Sequence, residues 1–231
     1  MLALHGWGRR GRDFSRALHD IPSLAPDLPG FGASPSPGEV IGAEGYADLV
    51  EPLLDEFETP PLVVGHSFGG RVATCLASRH PDAVSGMVLT GAPVVRLQAA
   101  SKPSASYRLI RALHRLGLVS EDRIEAVRRR VGSSDYRNAS GVMRDILVKV
   151  VNESYENQLG RIDCPVALVW GRSDREVPVA VAERALEVLA ESGASGRTSD
   201  LKVIEGVGHN LPLEDPQALR EVLLAMLGDS E

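Results

Sequence analysis

Ser67, Asp174 and His209 are residue types that together can break an acyl bond, and each follows an apolar run of strand length. A serine hydroxyl is a weak nucleophile until a base takes its proton, and the base needs a third group to fix its tautomer. Ser67 lies in GHSFGG (65–70), where the run LVV precedes a G-x-S-x-G pentapeptide and an amphipathic pattern follows it. That context predicts a sharp strand-to-helix turn with the serine strained at its tip. Gly65 and Gly69 then remove side chains that would collide across the turn, and Gly70 lets the helix approach the sheet. Asp174 sits in GRSDREVP (171–178) and His209 in EGVGHN (205–210), so the chain order is serine, acid, histidine. Two other acids compete for the orienting role. Asp215 opens the last helical pattern, where a helix N-terminus favours a carboxylate without any catalytic reason, and Glu176 remains a nearby alternative. His19, His80 and His114 lie in helical patterns or at their ends, which suits surface or packing roles. Cys75 and Cys164 are far apart and lack metal-ligand spacing, so they read as two buried thiols, and no metal or cofactor is called for.

To meet, these residues must sit on loops at one end of a sheet. Strands are expected at 1–4, 23–26, 62–65, 85–90, 166–170 and 201–204, apolar enough to be covered on both faces. Helical patterns occupy 11–19, 43–58, 70–79, 179–191 and 215–227, and this alternation predicts a mostly parallel α/β sheet. About seventy residues separate the fourth and fifth expected strands, far more than an ordinary crossover. The chain therefore divides into a core, 1–96 and 161–231, and an inserted helical cap, 97–160. Three apolar stripes mark the cap helices: Leu109, Leu113 and Leu116; Ile124, Val127 and Val131; and Met143, Ile146, Leu147, Val150 and Val151. Helix starts are expected at Ser101 and Ser120, and residues 192–196 read as a short flexible link.

Composition narrows the partners. The chain has 231 residues, 43% hydrophobic and 24% charged, with no apolar stretch of bilayer length and no secretory pattern at its start. A cytoplasmic protein is expected, with no membrane segment. A net charge of −6 argues against a nucleic-acid backbone and for a small-molecule ligand. The charge is uneven: residues 101–160 hold eleven Lys/Arg and seven Asp/Glu. Arg108, Arg111 and Arg115, or Arg128, Arg129 and Arg130, could attract an acidic substrate, whereas a solvated helix face with long side chains is the simpler reading. Oligomeric state is left open.

From Leu4 onward the chain resembles the α/β-hydrolase superfamily. The resemblance rests on HGWG (5–8), DLPGFGAS (27–34), GHSFGG (65–70), GRSDREVP and GVGH, all in register. It implies an α/β-hydrolase fold with an inserted cap and a Ser67–His209–Asp174 triad, together with an oxyanion hole made by the backbone N–H groups of Trp7 and Phe68. Donors preorganised in that way stabilise the charge that develops on a substrate oxygen. Trp7, His66 and Phe68, with cap residues, are the expected substrate contacts. The resemblance also implies that a hairpin preceding the HG loop in most members is missing. Six strands in the order 2-1-3-4-5-6 are then expected, with 23–26 as a proline-flanked edge.

A serine at the elbow fits poorly with members that use aspartate there. A carboxylester hydrolase acting through an acyl-enzyme is the leading expectation. Carbon–carbon hydrolases of the superfamily usually carry Asn before the serine and Trp after the histidine, where this chain has His66 and Asn210. Arg71 resembles members that catalyse an elimination in menaquinone synthesis, although an exposed helical arginine is the simpler reading. A receptor with an idle triad is the alternative of another class.

Overall fold

The computed structural model describes residues 1–97, 120, 134–191 and 199–228. Among these, five strands form one parallel sheet in sequential order: β1 (Leu2–Leu4), β2 (Leu62–His66), β3 (Gly86–Thr90), β4 (Val166–Gly171) and β5 (Ser199–Ile204). Period-two alternation divides their side chains between two cores. Leu2, Leu4, Val63, Met87, Leu89, Val166, Leu168 and Trp170 enter one, while Ala3, Leu62, Val64, Val88, Ala167 and Val169 enter the other. The first core is closed by helices α1 (Ala43–Val50), α2 (Phe68–Arg79) and α6 (Val179–Glu191). The second is closed by Phe14 and by Leu219 and Leu223 of α8 (Pro216–Gly228). Such double coverage explains the near-continuous apolar strands.

The expected sixth strand is not a strand. Residues 23–26 contribute a single parallel bridge, Leu2 to Leu24, in which Ala3 N–H donates to the Leu24 carbonyl and Leu24 N–H to that of Met1, each at 2.8 Å. Pro22 and Pro26 flank that bridge and have no N–H to extend a ladder, so pairing stops after one step. Its place beside β1 is the predicted one, which leaves the observed order equal to the expected order without its first member. Two expected helices are also shortened. The 11–19 pattern yields a 3₁₀ turn, Gly11–Phe14, followed by turns. The 43–58 pattern breaks into α1 and a 3₁₀ segment, Glu51–Glu56, because Pro52 has no N–H for the helical ladder and its ring crowds the carbonyl four residues back.

The long connection from β3 to β4 contains α3 (Ser134–Asn138), α4 (Gly141–Val150) and α5 (Glu156–Leu159). The α4 stripe is turned inward, with Ile146, Leu147 and Val150 buried, whereas Val151 follows the last turn and is half exposed. The other two expected cap helices and the 192–196 link lie outside the described residues. One further short helix, α7 (Leu211–Glu214), precedes α8. Among the described residues, no helix is long and apolar enough to cross a membrane.

Candidate active site

The turn after β2 has the geometry its glycines suggest. Ser67 adopts φ 51° and ψ −113°, a strained backbone for a residue with a side chain, and its N–H is anchored on the Thr90 carbonyl at 2.9 Å. A Cβ on Gly65 would lie 2.6 Å from the Gly70 Cα, and one on Gly69 would run into the Leu4 carbonyl. The start of α2 is thus pressed against both β2 and the end of β1.

Two loops from the far side of the sheet converge on Ser67. Its hydroxyl lies 3.0 Å from His209 Nε2, and His209 Nδ1–H donates to Asp174 Oδ2 at 2.8 Å. The other Asp174 oxygen accepts from the N–H groups of Glu176 and Val177 at 2.9 and 2.8 Å, so the carboxylate is fixed in place at 6% exposure. Trp170 braces that loop: the buried indole N–H donates to the Val177 carbonyl at 2.8 Å. Gly91 gives the imidazole room, since a Cβ there would stand 3.0 Å from Cε1 and from Nδ1. Burial lowers the affinity of His209 for a proton, but the Asp174 hydrogen bond and the charges of Asp174, Glu176 and Asp135 outweigh it, and the net shift is upward. A relay so arranged can take the proton of a serine hydroxyl and hold it on a partnered imidazole.

The competing acids are separated by position. Glu176 is exposed and approaches His209 from the Nε2 side at 3.7 Å, away from the nitrogen that an orienting acid must hold. Asp215 accepts from the Ala218 N–H at 3.0 Å and caps α8.

The HGWG loop lies directly against the serine. A Cβ on Gly6 would be 3.2 Å from the Ser67 Cβ. Residues 6–9 form a turn closed by Arg9 N–H on the Gly6 carbonyl at 3.1 Å, with Gly8 at φ 65°. Phe68 is the first residue of α2, where an amide has no acceptor within its own helix. Neither the Trp7 nor the Phe68 amide meets a protein acceptor among the described residues. The rings of Trp7, Phe31, Phe68 and Tyr46 interlock edge to face, with centroids 4.9 Å apart for Trp7–Phe31, 5.3 Å for Trp7–Phe68 and 4.8 Å for Tyr46–Phe68. Trp7 and Phe31 line a cavity of about 730 Å³ together with Asp135 and residues 138–143 of the inserted segment.

Two residues stand elsewhere than expected. Arg71 is buried rather than exposed, because α4 packs over it: its guanidinium donates to the Val150 carbonyl and lies over the Tyr155 ring at 5.8 Å. His66 is also buried, and its ring meets the His209 backbone and not the cavity wall.

The role of the DLPGFGAS motif was invisible in the sequence. Asp27 accepts from the Gly11 N–H at 2.9 Å and the Ala33 N–H at 3.1 Å, and its carbonyl accepts from the Ser34 hydroxyl at 2.6 Å. His5, fully buried, receives the Leu28 N–H on Nε2 at 2.8 Å. Together they lash the loop carrying Phe31 to the loop carrying Trp7. An acid with a small residue six positions on was the available signal.

Comparisons with known proteins bear on the family and the fold. The sequence profile of an alpha/beta hydrolase family matches residues 1–222. A pimeloyl-[acyl-carrier protein] methyl ester esterase of Chromobacterium violaceum is 29% identical, over 83% of this chain and 82% of its own. The lipase LipV of Mycobacterium tuberculosis is 26% identical, over 99% and 93% respectively. Among solved structures, a thermophilic esterase from Thermogutta terrifontis superposes with a TM-score of 0.69 at 20% identity, over 99% of this chain and 89% of that one.

Proposed function

The chain belongs to the alpha/beta hydrolase family, and from that premise we propose that it is a serine carboxylester hydrolase acting on a small ester. The observation that carries the reading is the continuous relay from Ser67 Oγ through His209 to Asp174, at 3.0 and 2.8 Å. In the first half-reaction Ser67 Oγ attacks the ester carbonyl carbon while His209 Nε2 takes its proton. The oxyanion that forms is received by the Trp7 and Phe68 amides. The carbon–oxygen bond to the alcohol then breaks as Nε2–H returns the proton to the leaving oxygen. Water attacks the acyl-Ser67 ester, gives its proton to Nε2, and the Ser67 oxygen leaves and is reprotonated. Asp174 stays ionised throughout and orients the imidazole.

The cavity beside Trp7 is the binding space, and Asp135 and residues 138–143, the described part of the inserted segment that lines it, are the part of the cap that meets substrate. An ester substrate is also what the names of the methyl ester esterase and of the thermophilic esterase suggest. The buried thiols of Cys75 and Cys164 suit a reducing, cytoplasmic setting. An elimination chemistry finds no support in Arg71, whose guanidinium is committed to Val150 and Tyr155.

Turnover of a short-chain p-nitrophenyl ester tests the proposal. Ser67→Ala is expected to lower kcat by roughly four orders of magnitude or more, with the protein still folded. Equal turnover by the two proteins would discard it.

A further inference from the structure

The hydrolase reading employs Ser67, His209, Asp174 and two amides, and it gives no task to the residue before the nucleophile. His66 ends β2 and is only 4% exposed. Its Nε2 stands 2.9 Å from the carbonyl oxygen of His209, 143 residues away in sequence. A carbonyl oxygen can only accept, so Nε2 carries the proton and donates it. The two imidazoles lie 5.1 Å apart, tilted by 49°. On the opposite side, His66 Nδ1 is 2.8 Å from where a Cβ on Gly6 would be, so the ring fills the space between the HGWG turn and the His209 loop. Among the described residues the backbone of that loop has two other side-chain ties, Gly208 N–H and Asn210 N–H to the Glu214 carboxylate at 2.6 and 3.0 Å, and both are exposed to water. The His66 bond is the sheltered one.

We propose that His66 is a positioning residue, tethering the His209 backbone to the end of β2 and to the Gly6 turn so that base, nucleophile and oxyanion amides share one frame. Burial and the neighbouring His209 push the His66 pKa down to about 3, which keeps the ring a neutral N–H donor while His209 titrates. The kinetic consequence rests on the hydrolase reading; the tether itself does not.

The test compares His66→Leu, which fills the space without a donor, with His66→Gln, whose amide nitrogen reaches where Nε2 stood. Both are made in the full chain, with kcat and KM measured on the p-nitrophenyl ester and the His209 imidazole followed by NMR titration. His66→Leu is expected to lower kcat by about 10- to 100-fold, in line with the cost of a misplacement near 1 Å, with KM within about threefold. The NMR titration of His209 and the acid limb of kcat/KM are expected to move together. His66→Gln is expected to restore all of these to within about threefold of wild type. A wild-type kcat and an unchanged His209 titration in His66→Leu would overturn the proposal. So would a rise in KM alone, which would make His66 a substrate contact, or a Gln variant as impaired as the Leu variant. Ser67→Ala is assayed alongside: turnover surviving in that variant would overturn the hydrolase reading, while the NMR titrations of the two His66 variants still decide the tether.

Discussion

At the scale of single residues, the imidazole of His209 is acted on in opposite directions. Burial favours its neutral form, and the Asp174 hydrogen bond with the charges of Asp174, Glu176 and Asp135 favours the protonated form more strongly. A general base works only when neutral, so activity should rise with pH through a His209 pKa above the ordinary histidine value. Removing the Glu176 charge removes one of the groups that raise it. Glu176→Gln is therefore expected to shift the acid limb of kcat/KM to lower pH, more at low than at high ionic strength because the carboxylate is exposed. A pH–rate profile at two salt concentrations checks this, and a limb that moves upward or not at all would contradict it. Residue type and order were enough to single out Ser67, Asp174 and His209. They were not enough to tell which nitrogen each acid would face, because that depends on how two loops cross: Arg172 N–H reaches the Ile204 carbonyl and Ser173 N–H that of Val207, both at 2.8 Å.

At the scale of elements, the loops rest on backbone clamps more than on strands. Asp27 joins the 3₁₀ turn at Gly11 to the 28–34 loop, and the Gly11 and Ala33 amides hold its carboxyl below the usual carboxylate range despite the opposing effect of partial burial. Asp27→Ala should destabilise the fold by about 1–2 kcal/mol, measured by urea denaturation at neutral pH. A carboxylate with a depressed folded-state pKa contributes fully above its unfolded pKa and loses that contribution as pH falls through the folded one. The stability gap between wild type and Asp27→Ala should therefore narrow on acidification. Apolar runs located β1 to β5 to within two residues, because β1 to β4 are buried on both faces and leave a strong pattern. The pattern failed for 23–26 and for the end of the 43–58 helix, where the deciding fact was a missing proline N–H rather than hydrophobicity, and for 11–19, which holds no proline and is a 3₁₀ turn followed by turns. The purpose of DLPGFGAS was equally hidden, since its partner at Gly11 lies 16 residues upstream and carries no side chain.

At the scale of the whole molecule, Arg71 joins the elbow helix to the inserted segment. It meets the C-terminal carbonyl of α4 and the face of Tyr155, whose hydroxyl donates to Glu153 at 2.6 Å; Glu153 in turn accepts from the first amide of α1 at 3.4 Å. Burial lowers the Arg71 pKa, and its Nε has no partner among the described residues. Arg71→Ala should cost on the order of 3 kcal/mol in chemical denaturation while leaving kcat per folded molecule within a few-fold. A large loss of kcat with stability intact would place the arginine in the chemistry instead. Periodicity could assign Arg71 only to a helix; that another helix would lie over it is a tertiary fact.

The relay also ties together distant parts of the polypeptide. Ser67 and His209 are 142 residues apart, and the parallel sheet between them adds its strands in chain order. Contacts of such long sequence separation form late, because loop-closure entropy is lost before they can compensate for it. Catalytic competence should thus be the last property regained on refolding from denaturant, lagging behind the recovery of helical circular dichroism. Enzymatic turnover would then serve as a clock for the final step of folding.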